Sequence, residues 1–399
     1  MPMFAPSRLV SRVLSFLLFT CALGHAASVV TERVPGEGIQ PQVAVDEQGT
    51  VHLIYLRGEP SSADIFYVRS ADNGKTFSQP VRVNSQPGSA VAAGTIRGAQ
   101  LAIGKNGRVH VAWNGSATSG PRGPLNPEMP ADNPHNGLPM LYTRMNDGGT
   151  AFEKQRNLMQ RTFALDGGGS LTADSDGSVY VGWHGNAIGG AIGEAGRRVW
   201  IARSRDEGNT FSVESAASST APGACGCCGL RLFGDRDNNL YGLFRSATNN
   251  VNRDIYLLVS TDGGDSFREK RIHQWNINAC PMSAMAFAET ESGVIPAWET
   301  EEQIYFSSVG RGSLEVSEPA PMPGQASRRK HPATARNSEG ELILVWTENT
   351  GWNKGGSLAW QVFDKQGRPS GKQGRLDGVP AWSFGAAFAR PDGGFTVLY

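Results

Sequence analysis

The sequence predicts an all-β fold, a β-propeller of four-stranded antiparallel blades, and three observations lead to it. Fifty glycines stand beside a hydrophobic fraction of 39%, the composition of many short strands joined by tight turns. One order of elements (strand, turn, strand ending in an aromatic, strand, polar turn, strand) recurs at a spacing of roughly fifty to seventy residues. Such strands cannot bury both faces alone, so radial packing of the repeats completes the core and shortens the exposed edges.

Residues 1–26 read as a secretory signal peptide. Arg8 and Arg12 supply a basic start, the apolar run 13–23 is too short to span a bilayer, and Gly24, His25 and Ala26 offer a cleavage site. The expectation is a periplasmic or secreted protein without stable membrane insertion, in which 27–399 form one propeller domain.

The first repeat places its two inner strands at 42–45 and 51–55, the second at 100–103 and 109–113, the third at 170–173 and 179–183, and the fourth at 230–233 and 240–244. The fifth ends its second strand at Trp298 and the sixth at Trp346, so six repeats are complete. The seventh holds only 386–389 and 395–398, and the segment 29–34 is expected to close the ring by completing it. Six blades with a C-terminal extension is the alternative. The aromatics at the ends of the second strands read as filler between blades.

A specific turn follows the third strand. It comprises Ser70, Asp72, Gly74, Thr76 and Phe77, then Ser204, Asp206, Gly208, Thr210 and Phe211, then Ser260, Asp262, Gly264, Ser266 and Phe267, with a looser copy at 145–152. The Asp can accept backbone N–H bonds, the Gly takes a positive φ, and the Phe packs beneath the turn. This pattern is that of the Asp-box, and the chain resembles the sialidase superfamily with its bacterial neuraminidase repeats. The resemblance covers the whole chain after the signal segment. It implies a folding role for these acids, on the face away from the substrate pocket, and an exo-glycosidase-like protein that binds or cleaves a glycan.

Lys plus Arg equals Asp plus Glu at 37 each, so no whole-chain field draws the protein to nucleic acid. The expected partner is a glycan or another small molecule. In a propeller, residues just after second strands and just before first strands line the central mouth. The former are Arg57, Glu59, Asn114, His184, Asn186, Arg245, Glu299, Glu301 and Glu348; the latter are Arg97, the cysteines, 328–331 and Trp382. The resemblance implies three arginines around a substrate carboxylate, which a guanidinium can grip bidentately. Arg57, Arg97 and Arg245 are the candidates, with Glu299, Glu301 or His184 for proton transfer. The family's Phe-Arg-Ile-Pro-like start is absent from the first repeat, and no Tyr stands convincingly at the mouth as the nucleophile. A non-catalytic binding module is therefore an alternative.

Cys225, Cys227, Cys228 and Cys280 remain after the signal segment. In an oxidising compartment two disulfides are expected, one of them able to tie Cys280 to the first cluster and clamp two blades. No cofactor is expected on that reading. A soft-metal site is the alternative, with copper or zinc held by these thiols and His331, as is a redox-active thiol pair. His52 and His110, inside alternating strands, read as structural, and Asn114-Gly115-Ser116 matches a glycosylation acceptor.

Overall fold

The computed structural model describes residues 1–3, 28–325 and 328–399; apart from its first three residues, the predicted signal segment lies outside them. Among the described residues the chain forms seven sheets arranged as seven blades, with only three short 3₁₀ turns as helix. Blades 1 to 6 start on their innermost strands at Ile39–Val45, Gln100–Ile103, Ser170–Ala173, Arg231–Gly234, Met285–Glu289 and Arg329–Arg336. Each continues outward through antiparallel neighbours.

Blade 7 consists of Ala386–Ala389, Phe395–Leu398 and the N-terminal Val29–Glu32, so the ring closes on the strand expected to close it. It differs from its siblings in having three strands, with Val29–Glu32 running parallel to Phe395–Leu398. Connectivity explains the direction. This strand must deliver the chain to the mouth, where the first blade begins, and second strands also run toward the mouth. The Val34 N–H donates to the Tyr399 carbonyl at 3.0 Å, sealing the closure.

The second-strand aromatics fill the spaces between blades as expected. Tyr55, Trp113, Trp183, Phe244 and Trp298 are wholly buried and Trp346 nearly so. Burying an indole this way also requires a partner for its N–H. Trp113 donates to the Ser89 carbonyl at 3.2 Å and Trp183 to Thr162 Oγ1 at 2.9 Å.

The turns after the third strands match their sequence reading. Asp206 Oδ1 accepts Ser204 Oγ–H at 2.7 Å and the Thr210 N–H at 2.8 Å, while Oδ2 accepts the Thr210 hydroxyl at 2.7 Å. Asp72 repeats the set at 2.7, 2.9 and 2.6 Å. Such bonds favour the charged carboxylate. For Asp206, desolvation is the largest single influence and pushes upward, but the hydrogen bonds together outweigh it, and both Asp72 and Asp206 are held at about 2.

His52 and His110 are structural. His52 bridges the Tyr67 hydroxyl at 2.8 Å and Asp46 at 3.0 Å, and His110 meets the Tyr142 hydroxyl at 2.7 Å. Burial holds His110 neutral, with its pKa down at about 3. Asn114 is buried, donating to the Gly167 carbonyl at 2.6 Å and accepting the Gly169 N–H at 3.2 Å. Its side chain is thus closed to glycosylation.

Candidate functional site

Six blades open on the mouth with a non-glycine residue in left-handed backbone: Gln40, Thr95, Ala164, Met282, His331 and Trp382, with φ between 52° and 59°. Such conformations cost of order 1–3 kcal/mol each and concentrate where structure serves a ligand. Below them runs an axial channel crossed by Arg231, which donates to Gln100 Oε1 at 2.9 Å and reaches Gln42 Oε1 at 3.4 Å.

Beside the mouth lies a cavity of about 490 Å³, lined in part by Arg97, Asn114, His135, Asn136, Asp166, Arg197 and Trp352. Arg97 Nη2 pairs with Asp166 Oδ1 at 2.6 Å, and its Nε donates to the Asp166 carbonyl at 2.8 Å. Arg197 approaches the same carboxylate from the other side, Nη1 to Oδ2 at 3.9 Å, and lies 3.8 Å from Glu194 Oε1. Among the described residues the Arg197 guanidinium makes no hydrogen bond, and its Nε is buried without a partner, although its side chain is only 11% exposed. The indole of Trp352, 55% exposed, reaches over from blade 6 to Gly94 at the start of blade 2 and forms the rim.

The floor of this cavity rests on the cysteine loop. Gly167 and Gly168 are needed for contact: a Cβ on the first would run into the Gly226 carbonyl oxygen, and one on the second into that of Ile96. Gly226 in turn lies against the Arg197 guanidinium. Arg197 therefore belongs to both the cavity and the cysteine loop.

The expected trio of arginines is not assembled. Arg57 is exposed, its guanidinium 5.5 Å from the centre of the Phe66 ring, and it does not line the cavity. Arg245 is sealed inside, donating to the Arg253 carbonyl at 2.7 Å and to the Glu299 carbonyl, with Glu299 Oε2 at 3.5 Å and the Trp275 ring beneath it. Only Arg97 faces the cavity; the second cavity arginine is Arg197.

Glu299 is wholly buried, and burial raises its pKa against the opposing pull of Arg245. Its Oε1 accepts the Glu302 N–H at 2.9 Å, while Oε2 has no hydrogen-bond partner. Glu301 stands on an exposed hairpin tip with φ 54°. His184 is closed off from solvent, and burial brings its pKa down to about 4. None of these three lines the cavity, whose lining also contains no tyrosine.

The cysteines depart from the disulfide expectation: all four are free thiols. Cys225 Sγ lies 3.2 Å from Cys228 Sγ and 3.6 Å from Cys227 Sγ, well beyond the ~2.05 Å of an S–S bond. Cys280 is exposed and makes no clamp to them. Burial opposes ionisation of Cys228, but thiol donors from Cys225 and Cys227 and the nearby Arg245 outweigh it and hold Cys228 well below an ordinary thiol. His331 is buried with Nδ1 unpartnered, and burial takes its pKa down to about 3.

Solved structures share this architecture at low sequence identity. The Hadza microbial sialidase Hz136 aligns with a TM-score of 0.51 at 12% identity over 78% of this chain, which spans 64% of that sialidase. The fold is a sialidase-like β-propeller. A Penicillium chrysogenum alpha-L-arabinanase complexed with arabinobiose gives 0.51 at 14% identity, covering 85% of this chain and 97% of that one. A Dyadobacter fermentans protein of unknown function gives 0.52 at 14%, covering 81% and 94%. No protein-family model matches this sialidase-like propeller, and no curated protein is similar to it in sequence.

Sequence reasoning passed over Asp166, Glu194, Arg197 and Trp352. The run Asp166-Gly167-Gly168-Gly169 was an available signal, because consecutive glycines before an inner strand mark a close backbone approach. Trp352 lies inside the loop between the second and third strands of blade 6, and Arg197 at the end of the corresponding loop of blade 3, where spacing carries no information.

Proposed function

We propose that this chain is an exported glycan-binding propeller whose mouth cavity takes a carboxylated sugar. The observation that carries the reading is Arg197, a mostly buried guanidinium beside a cavity of about 490 Å³ with no hydrogen bond of its own. A buried cation without hydrogen bonds is costly, and a planar carboxylate from the cavity would meet its donors as a fork. Arg97 reinforces the positive wall, its Nη1 making only a 3.4 Å contact with the Ala93 carbonyl. Trp352 offers an apolar platform for a sugar ring at the rim. The glycan-acting propellers of similar architecture support the substrate class, and the absence of tyrosine from the lining supports binding over sialidase-type cleavage.

Calorimetric titration against uronic- and sialic-acid-containing oligosaccharides and their neutral counterparts tests this, with chromatography of the mixtures for products. The expected result is saturable binding of an acidic oligosaccharide and no product. Release of a sugar would move the protein to the hydrolases, and binding of neutral glycans alone would refute the arginine assignment.

A further inference from the structure

Beneath the cavity floor, three thiols and two histidines come together among three arginines, and neither the thiols nor the histidines have a role in glycan binding. Cys225 and Cys228 are fully buried and Cys227 half-buried. A carboxylate oxygen of Glu194 and the sulfurs of Cys225 and Cys227 all lie within 4.8 Å of one another. For a metal at about 2.3 Å from each sulfur, tetrahedral ligands stand about 3.8 Å apart. The observed 3.2 and 3.6 Å separations need only a small expansion to admit an ion.

A second observation is independent of the sulfurs. His184 is fully enclosed, and neither ring nitrogen has a hydrogen-bond partner; buried His331 leaves Nδ1 unpartnered as well. Both rings lie within electrostatic range of Cys228. Unsatisfied buried imidazole nitrogens are expensive and are ordinary donors to soft and borderline metals.

We propose that Cys225, Cys227 and Cys228 form a binding site for monovalent copper. Soft thiolates select Cu(I). Both oxygens of the one nearby carboxylate are already engaged, Glu194 Oε1 by the Gly226 N–H at 2.9 Å and Oε2 by Arg253 at 2.7 Å. That leaves the three clustered sulfurs as the primary donors, with the unpartnered His184 and His331 nitrogens nearby, and a thiolate-dominated set is the soft environment that favours Cu(I). Copper enters already reduced, each ligating thiol loses its proton to water, and no electron is transferred.

The test uses the full chain kept reduced under anaerobic conditions and titrated with Cu(I) against a chromophoric Cu(I) chelator. The expected result is one copper retained per chain, with a sulfur-to-copper charge-transfer band in the ultraviolet. Cys228→Ser and Cys225→Ser should each weaken retention by at least the roughly 100-fold that loss of a residue merely supporting a ligand can cost, while Cys280→Ser leaves it unchanged. Should a serine variant misfold by circular dichroism, the wild-type titration alone decides. Failure of the wild type to hold copper against the chelator, tighter retention of Zn(II), or a non-reduced mass two hydrogen atoms light that locates a Cys225–Cys228 disulfide would each overturn the proposal.

Discussion

Arg97 and Asp166 are joined twice, through a 2.6 Å pair between side chains and a 2.8 Å bond from Arg97 Nε to the Asp166 carbonyl. The second bond survives loss of the carboxylate charge, so Asp166 can be neutralised without releasing Arg97. Asp166 also competes with any incoming anion for Arg97 and Arg197. Asp166→Asn should therefore tighten binding of an acidic oligosaccharide severalfold, and the gain should shrink as salt screens the wall. Titration at low and high ionic strength checks both parts.

Trp352 contributes through area, not charge. Trp352→Ala should weaken acidic and neutral ligands of equal size by a similar factor, about tenfold for about 1.4 kcal/mol of lost apolar contact. Thermal stability should hardly change, because the indole is 55% exposed. A loss confined to acidic ligands would argue against the platform role.

Arg245 and Glu299 are placed to hold blades 4 and 5 together, not to touch a ligand. Removing one partner of such a pair strands the other charge, at a cost of about 3–5 kcal/mol. Arg245→Ala should accordingly lower the unfolding midpoint sharply, and Arg245→Met with Glu299→Gln should recover much of it. Where the variants remain folded, glycan affinity should be unchanged. Denaturant melts and titration on the same samples separate the two effects.

Acid stability should fall in two windows. His110 has a lowered pKa in the fold, so the unfolded chain binds more protons below pH ~6.5; that stability drains away as pH drops toward about 3. Asp72 and Asp206 are also lowered, and their contribution, complete above pH ~4, is lost as pH falls through about 2. Asp206→Asn should shrink the lower window, to which Asp72 still contributes, and leave the upper one in place, as thermal melts from pH 7 to 2 would show.

Gly208 ends the Asp206 turn at φ 75°, and a Cβ there would run into the Tyr142 hydroxyl of the neighbouring blade. Gly208→Ala thus combines left-handed strain with a clash. It should destabilise by roughly 2–4 kcal/mol, far more than alanine at the open turn glycine Gly367, a difference measurable by urea unfolding.

The fold was legible because its signals are local. Alternating strands, an aromatic at each second-strand end and the Ser-x-Asp-x-Gly turn each act within a few residues, and Asp206 makes the bonds its spacing implies. Closure by 29–34 could be read from a missing strand, but its parallel direction depended on the route to the mouth. The site was less legible because its residues converge from loops of variable length. Arg57 lies within its extended second strand Val51–Glu59, whereas Arg197 comes after the long excursion that follows Val179–Ala187, and only that excursion turns inward. The cysteines were visible as a cluster, whereas the separation of Cys280 from the other three is a matter of tertiary placement.

The central claim is that guanidinium groups at the mouth recognise a sugar carboxylate. It is tested most directly by titrating the protein with an acidic oligosaccharide and with the same oligosaccharide after reduction of its carboxyl to an alcohol. The account predicts that the reduced form binds at least about tenfold more weakly, 1.4 kcal/mol, and that Arg197→Gln brings the two affinities together. Equal binding of both forms by the wild-type protein would contradict it.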